Sequence, residues 1–224
     1  MVKDVVDLTL TKPNSRRATI KRWRKWGAGF VVVGLLLAGF MVWPSSPRDL
    51  SVGDRLLTSK VLPAWHDGDV IVLVRHEERC DRSPNPCLGP LEGLTVIGNQ
   101  RAGELGKAFK ALGMQSTDVV ASPVVRTSQT AHAMFGNTEL TSSQQAICGA
   151  AIGEELLNRK QAGRNLIFVT HSGCIADFES TLGYPRAHFS EYGSALFVRV
   201  LPNGKFETLG IMKSQAWLDV LKKF

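Results

Sequence analysis

DVIVLVRHEERC, residues 69–80, is the stretch whose reading decides the fold. Residues 70–74 are an unbroken run of Val, Ile and Leu, with the length and composition of a strand buried on both faces. The run ends in Arg75 and His76, polar groups that stay buried only with partners. A buried strand is thus led up to a charged edge. In an open α/β sheet the carboxyl ends of the strands are where ligands bind. An Arg and a His there fit an anion site with a nucleophile or base beside it. The plainer alternative is an ordinary strand end with two solvated side chains, and the rest of the chain decides between them.

Working outward, Asp67-Gly68 is a turn, and residues 50–62 read as a short helix packed on the domain. Pro84, Pro86, Gly89, Pro90, Gly93 and Gly98 mark a structured loop after the strand. Ala102, Leu105, Ala108, Phe109 and Leu112 then recur at helical spacing, which predicts a helix over 99–112 ended by Gly113. A short strand is expected at 118–121. Ser122-Pro123 follows, with Pro at the start of a helix over 124–135. A short strand near 138–140 and a helix over 153–161 come next. NLIFVT, residues 165–170, is a second buried strand, again followed by a histidine, His171. A helix over 173–181 is expected after it, then strands at 195–201 and 205–211 joined as a hairpin, and a short amphipathic helix over 215–224. Strands alternate with helices, so the expected class is α/β, a mostly parallel sheet with helices on both faces.

The net charge of +7 is unevenly spread. Residues 1–26 hold eight Lys/Arg and two Asp, a net of +6, so the remainder is close to neutral. The basic character belongs to a tail, which argues against a nucleic-acid partner for the globular part. Residues 27–43, GAGFVVVGLLLAGFMVW, are 17 residues without a charge. As a helix they span roughly 25 Å, near the lower limit for crossing a membrane. Trp23, Trp26 and Trp43 stand where interfacial anchors belong, and the positive side faces the cytoplasm. WPSSP follows the apolar run where a small-x-small cleavage site would stand, so an uncleaved anchor is favoured over a cleaved signal peptide. The expected layout is a basic cytoplasmic tail (1–26), a transmembrane signal anchor (27–43), a linker (44–66) and an exported domain (67–224) in the periplasm.

Four cysteines, Cys80, Cys87, Cys148 and Cys174, fit export. An even count in an oxidising compartment reads as two disulfides, with three possible connectivities. Cys80 and Cys87 flank a Pro-rich loop, which makes a disulfide a better account of Cys80 than a reactive thiol. Neither a C-x2-C pair nor a paired-His motif occurs, so no zinc site is expected.

Three strand ends carry polar groups: Arg75-His76, Ser122 with Arg126 one turn on, and His171-Ser172. In a parallel sheet all three lie on one edge. Arg forks bind phosphate oxygens bidentately, and helix starts add partial positive charge, so the set suits a tetrahedral dianion. One imidazole can attack phosphorus while the other stabilises charge.

VRHEER resembles the R-H-G-E signature of the histidine phosphatase superfamily, the phosphoglycerate-mutase-like fold. ASPVVRTSQTA resembles that family's S-S-P-x-x-R-A-x-Q-T-A block, and VTHSG its V-S-H-G-G block, in the same order. The resemblance covers about residues 68–210. It implies that His76 is a nucleophile forming a phosphohistidine, that Arg75, Arg126 and His171 surround the phosphoryl group, and that no metal or other cofactor is needed. Two departures stand out. Glu77 replaces the usual Gly, and a side chain there reshapes the pocket. The family's general acid is a mid-chain carboxylate or an Asp directly after the second His, and Ser172 excludes the latter; Glu78 is the expected acid. Within the superfamily, R-H-x-E-R-C-D-R-S, the cysteine positions and the N-terminal apolar segment resemble a bacterial group acting on heptose phosphate of the lipopolysaccharide core. That points to a phosphorylated sugar or glycolipid substrate facing the periplasm, at the inner membrane.

Ser122 is expected to cap its helix while its hydroxyl points at the site. Arg79 and Ser172 are further candidates for substrate contact; solvated loop charge accounts equally well for Arg79 and Arg82. Gln129 and Thr130 are expected to hold their helix against the sheet. His66, His132 and His188 have no partner motif and read as structural or solvated, with the mouth of the site as the alternative for His188. A phosphohistidine-protein phosphatase and a membrane-tethered phosphate-binding module are the competing functions, the second favoured by Glu77 and the missing acid.

Overall fold

The computed structural model describes residues 45–136, 139–140, 148–149, 151–185 and 187–222. The basic tail and the apolar segment 27–43 lie outside these residues; among the described residues no helix is long and apolar enough to cross a membrane.

Apolar side chains at successive positions leave β1 (Val70–Arg75) no solvent-facing side, and it lies inside a six-stranded sheet. Residues 70–74 are fully buried. Burying each such side chain stabilises by about 1.5–3 kcal/mol. β4 (Asn165–Thr170) pairs parallel with β1, from Ile71 opposite Leu166 to Arg75 opposite Thr170. β2 (Thr117–Ala121) is parallel to β4, and the short β3 (Glu139–Leu140) is parallel to β2. On the other side of β1, β5 (Ala195–Val200) runs antiparallel with Val74 opposite Ala195, and β6 (Phe206–Met212) runs antiparallel to β5. The order is β3-β2-β4-β1-β5-β6.

The sheet is therefore mixed, which corrects the expectation of a mostly parallel one. The cause is local. A turn closed by the Leu201 N–H to Lys205 O and the Gly204 N–H to Leu201 O makes β5 and β6 a hairpin. Hairpin strands are antiparallel by construction, and docking the hairpin beside β1 adds a second antiparallel pair.

Helices cover both faces. α1 (Arg55–Thr58), α2 (Val61–His66), α3 (Val96–Leu112), α4 (Val125–Phe135) and α7 (Trp217–Leu221) lie with Val70, Val72 and Val74 of β1. α5 (Ile152–Arg159) and α6 (Ser172–Thr181) lie with Ile71 and Leu73 on the opposite face. The stretch 44–66, expected as a linker, contributes Leu50, Leu56, Val61 and Trp65 to the first cluster. α3 begins three residues earlier than the apolar periodicity indicates, because Thr95 caps it by accepting from the Gly98 N–H at 3.0 Å. Buried Asn165 ties the layers together: its Oδ1 accepts from the Val70 N–H and its Nδ2 donates to Trp65 O.

α3 and α4 cross at Gly106. A Cβ there would lie 2.2 Å from Met134 O and 2.6 Å from Met134 Cα, backbone atoms that cannot step aside. In an open helix Gly→Ala gains about 1 kcal/mol. Here the overlap outweighs that gain, because overpacking costs about 1–3 kcal/mol. Gly106→Ala is expected to lower the urea unfolding midpoint, and an unchanged or raised midpoint would show that the helices part freely.

Candidate active site

The parallel strands β1, β2 and β4 bring their carboxyl ends to one edge, and Arg75, His76, Ser122 and His171 all fall there. Backbone bonds fix the register just beyond the strands: His76 N–H to Thr170 O at 2.9 Å and Ser122 N–H to Val169 O at 3.1 Å. Arg126 enters from the first turn of α4. His76 and His171 are both buried, with ring centroids 5.4 Å apart at 65°.

Arg126 bridges the pair. Its Nε donates to His76 Nε2 at 3.2 Å, and its Nη2 lies 3.3 Å from His171 Nδ1. A guanidinium has no acceptor, so both facing ring nitrogens must accept and carry no proton. The remaining nitrogens then hold the hydrogens: His76 Nδ1 donates to Glu77 O at 2.7 Å, and His171 Nε2 donates to Ser122 Oγ at 3.2 Å. Both imidazoles are neutral, and His76 presents an Nε2 lone pair. Electrostatics agree. Burial lowers His76 to a pKa of about 3, helped by His171, Arg126 and Arg75 and opposed by the bond to Glu77 O. Burial lowers His171 to about 4, with Arg126, Arg79 and Arg75 adding to it.

Cations crowd the mouth. Arg75 donates from Nη1 to Ser190 O and lies 4.0 Å beneath the Tyr192 ring. Tyr192 also sits 5.7 Å from the His76 ring. Arg79 forks onto Asp81, with Nε 2.6 Å from Oδ1. Arg75 and Arg126 are each depressed by burial first, and each feels the charges of Arg79 and Arg82. Tyr192 is the contact the sequence did not signal, because nothing local to residues 184–194 ties that ring to Arg75.

Other expected residues fall elsewhere. Ser122 does not cap α4, which corrects that expectation: Val124 is the N-cap and makes no side-chain cap bond, while the buried Ser122 hydroxyl serves His171. Thr127 and Thr130 are buried, and Thr130 Oγ1 accepts from the Glu77 N–H at 3.1 Å and donates to Arg126 O at 2.7 Å. Ser172 is the first residue of α6. Glu78 is engaged away from the imidazoles: Oε1 accepts from Ser83, Asn85 and Thr95, and Oε2 pairs with Arg101. Those hydrogen bonds outweigh its burial and lower its pKa, so it is ionised and poorly suited to donating a proton. Glu77 is 1% exposed, and burial raises it to a pKa of about 7. Its Oε1 accepts from Ser214 Oγ at 3.3 Å, and its Oε2 from the Glu78 N–H at 3.2 Å.

The cysteines pair Cys80–Cys87 and Cys148–Cys174, with Cα separations of 5.2 and 4.6 Å. The first closes the loop that carries Asp81 and Arg82; the second is anchored in the opening turns of α6, close to His171. Among the described residues no cluster of His, Cys, Asp and Glu is placed to hold a metal ion.

This chain is similar to phosphatases, in fold to a solved one and in sequence to curated ones. The fold is shared with phosphoserine phosphatase of Entamoeba histolytica in complex with 3-phosphoglyceric acid, at a TM-score of 0.51 and 15% identity, covering 66% of this chain and 98% of that one. In sequence it matches lipopolysaccharide core heptose(II)-phosphate phosphatases: 40% identity over 109 residues in Salmonella typhi and 41% over 109 in Escherichia coli O1:K1, in each case 47% of this chain and 54% of the relative. The chain thus spans about half the length of the curated relatives it matches. No protein-family model matches it.

Both folded imidazole pKa values lie below the usual 6.5. The unfolded chain therefore takes up protons first as pH falls. The stability these groups contribute is complete above about 6.5 and is lost between there and about 3. Proton–nitrogen NMR in phosphate-free buffer is expected to show His76 and His171 neutral at pH 5.5. Midpoints near 6.5 for the buried pair would contradict the arrangement.

Proposed function

We propose that the chain is a phosphomonoesterase that passes a phosphoryl group through His76. The observation that carries this reading is the Arg126 bridge, which leaves His76 Nε2 unprotonated and surrounds it with donors. A phosphate dianion entering between the imidazoles draws Arg126 onto its oxygens, because a charged acceptor outcompetes a neutral ring nitrogen. Nε2 then forms the N–P bond as the ester P–O bond breaks, and the leaving oxygen takes a proton from water. A second water attacks phosphorus, gives up its proton to solvent, and frees inorganic phosphate as the N–P bond returns its electrons to Nε2. Arg75, Arg126 and His171 stabilise the phosphoryl oxygens throughout. Arg79 and Ser172 extend the anion site toward the rest of the substrate. This positive pocket performs the electrostatic work without a metal.

The substrate class is a phosphorylated cell-envelope sugar, such as heptose phosphate of the lipopolysaccharide core. The similarity to curated phosphatases of that name supports it, and two disulfides fit an oxidising compartment. The periplasmic side of a bacterial inner membrane, with residues 27–43 as anchor, completes the reading. The engaged carboxylate of Glu78 favours one alternative, a phosphate-binding module with weak turnover.

Aryl phosphate hydrolysis in the presence of a chelator tests the mechanism. His76→Asn is expected to abolish turnover and the acid-labile phosphoenzyme. Arg126→Lys, which lacks the fork, is expected to lower kcat/KM by about 10²–10³-fold. Full activity in His76→Asn would overturn the reading; phosphate binding without turnover in the wild type would favour the binding module.

A further inference from the structure

A cavity of about 380 Å³ lies between α6, the 188–194 loop and the end of β6. Two of its lining groups are anomalous. Glu179 is 1% exposed and Ser190 5%, yet Glu179 Oε2 and Ser190 Oγ are buried without a hydrogen-bond partner. Leaving such a group unpaired costs about 1–3 kcal/mol, and each one calls for a reason. Burial alone raises the Glu179 pKa to about 7.

The cavity opens on the edge of the sheet that holds His76. Ala195, where β5 starts, stands opposite Val74 on one side and Met212 on the other, so the loop before β5 and the segment after β6 emerge at that edge. Two strand spacings separate the β6 end from the β1 end, roughly 10 Å. The same loop walls both places. Arg75 donates to Ser190 O from its side chain and to Ser194 O from its backbone, and Ser190 and Ser194 both line the cavity.

We propose that this cavity is a subsite for the hydroxyl-bearing ring of a sugar adjoining the phosphate, received by Glu179 and Ser190. The proposal rests on the phosphatase reading and names the part of the substrate that the phosphoryl pocket leaves outside. A carboxyl oxygen and a hydroxyl without partners require donors, and sugar hydroxyls supply donor and acceptor together. Phe189, 72% exposed at the rim, offers an apolar face to the carbon side of a ring. Lys213, held by Asp49 at 3.1 Å, and Glu191 line the same cavity.

The test uses the full 224-residue chain, with Glu179→Gln and Ser190→Ala beside the wild type. Binding of dephosphorylated core oligosaccharide, released from lipopolysaccharide, is measured by calorimetry. Turnover is compared on phosphorylated core oligosaccharide and on para-nitrophenyl phosphate. Glu179→Gln is expected to weaken oligosaccharide binding by about tenfold, and to lower by a similar factor the ratio of kcat/KM on the oligosaccharide to that on the aryl ester, the worth of one charged hydrogen bond. Ser190→Ala, which keeps the carbonyl that Arg75 uses, is expected to act in the same direction more weakly. Absent binding in the wild type, or equal binding and equal ratios in all three proteins, would overturn the subsite. A wild type that hydrolyses neither ester would sink the phosphatase reading instead, and the calorimetry would still decide the cavity.

Discussion

Arg126 can only donate, and it is aimed at one nitrogen of each imidazole. That single constraint sets the protonation of the site. With two further guanidinium groups, Arg75 and Arg79, acting on the pair, an imidazolium would be repelled as well as desolvated, so the pair stays neutral. The site is thus an array of donors and lone pairs. In the proposed function a dianion relieves the repulsion among these cations as it binds, which would favour phosphate over neutral ligands.

The placement of Arg126 depends in turn on one hydroxyl. Thr130 Oγ1 receives the Glu77 N–H and donates to Arg126 O, so the strand end beside His76 and the helix turn carrying Arg126 are latched to each other. Beneath them, Gly106 lets α3 approach α4, and Asn165 holds the starts of β1 and β4 together. The core and the proposed chemistry are therefore one construction: the sheet sets the height of each strand end, and the α3–α4 contact sets the angle from which Arg126 arrives.

Much of this was legible in the amino-acid order, for physical reasons. Residues 70–74 and 165–170 are apolar without alternation, which only a strand buried on both faces tolerates, and each is followed by a histidine. Parallel pairing of such strands brings their polar ends to one edge without further information. The antiparallel docking of the β5–β6 hairpin against β1 was not legible, because side-chain period says nothing about which neighbour a strand chooses. Nor was the cap at Thr95, which interrupts no apolar pattern, or the seat of Tyr192, which depends on Arg75 more than a hundred positions away. Glu78 looked available in sequence; only the folded loop shows Ser83, Asn85, Thr95 and Arg101 gathered around it.

Glu77 and Gly193 belong together in a different sense. A Cβ at Gly193 would stand 2.1 Å from Glu77 Oε1, and the φ of +66° there already suits glycine. The carboxyl occupies the space that a side chain on the loop would need. The two positions are thus coupled in sequence drift: a side chain at 193 meets Glu77 first, and even with a small residue at 77 it would still face Ser214 Oγ at 2.8 Å and the positive φ. A glycine after the strand-end histidine would remove one of these restrictions and leave the other two, so the loop keeps its glycine for reasons of its own backbone as well as of its neighbour.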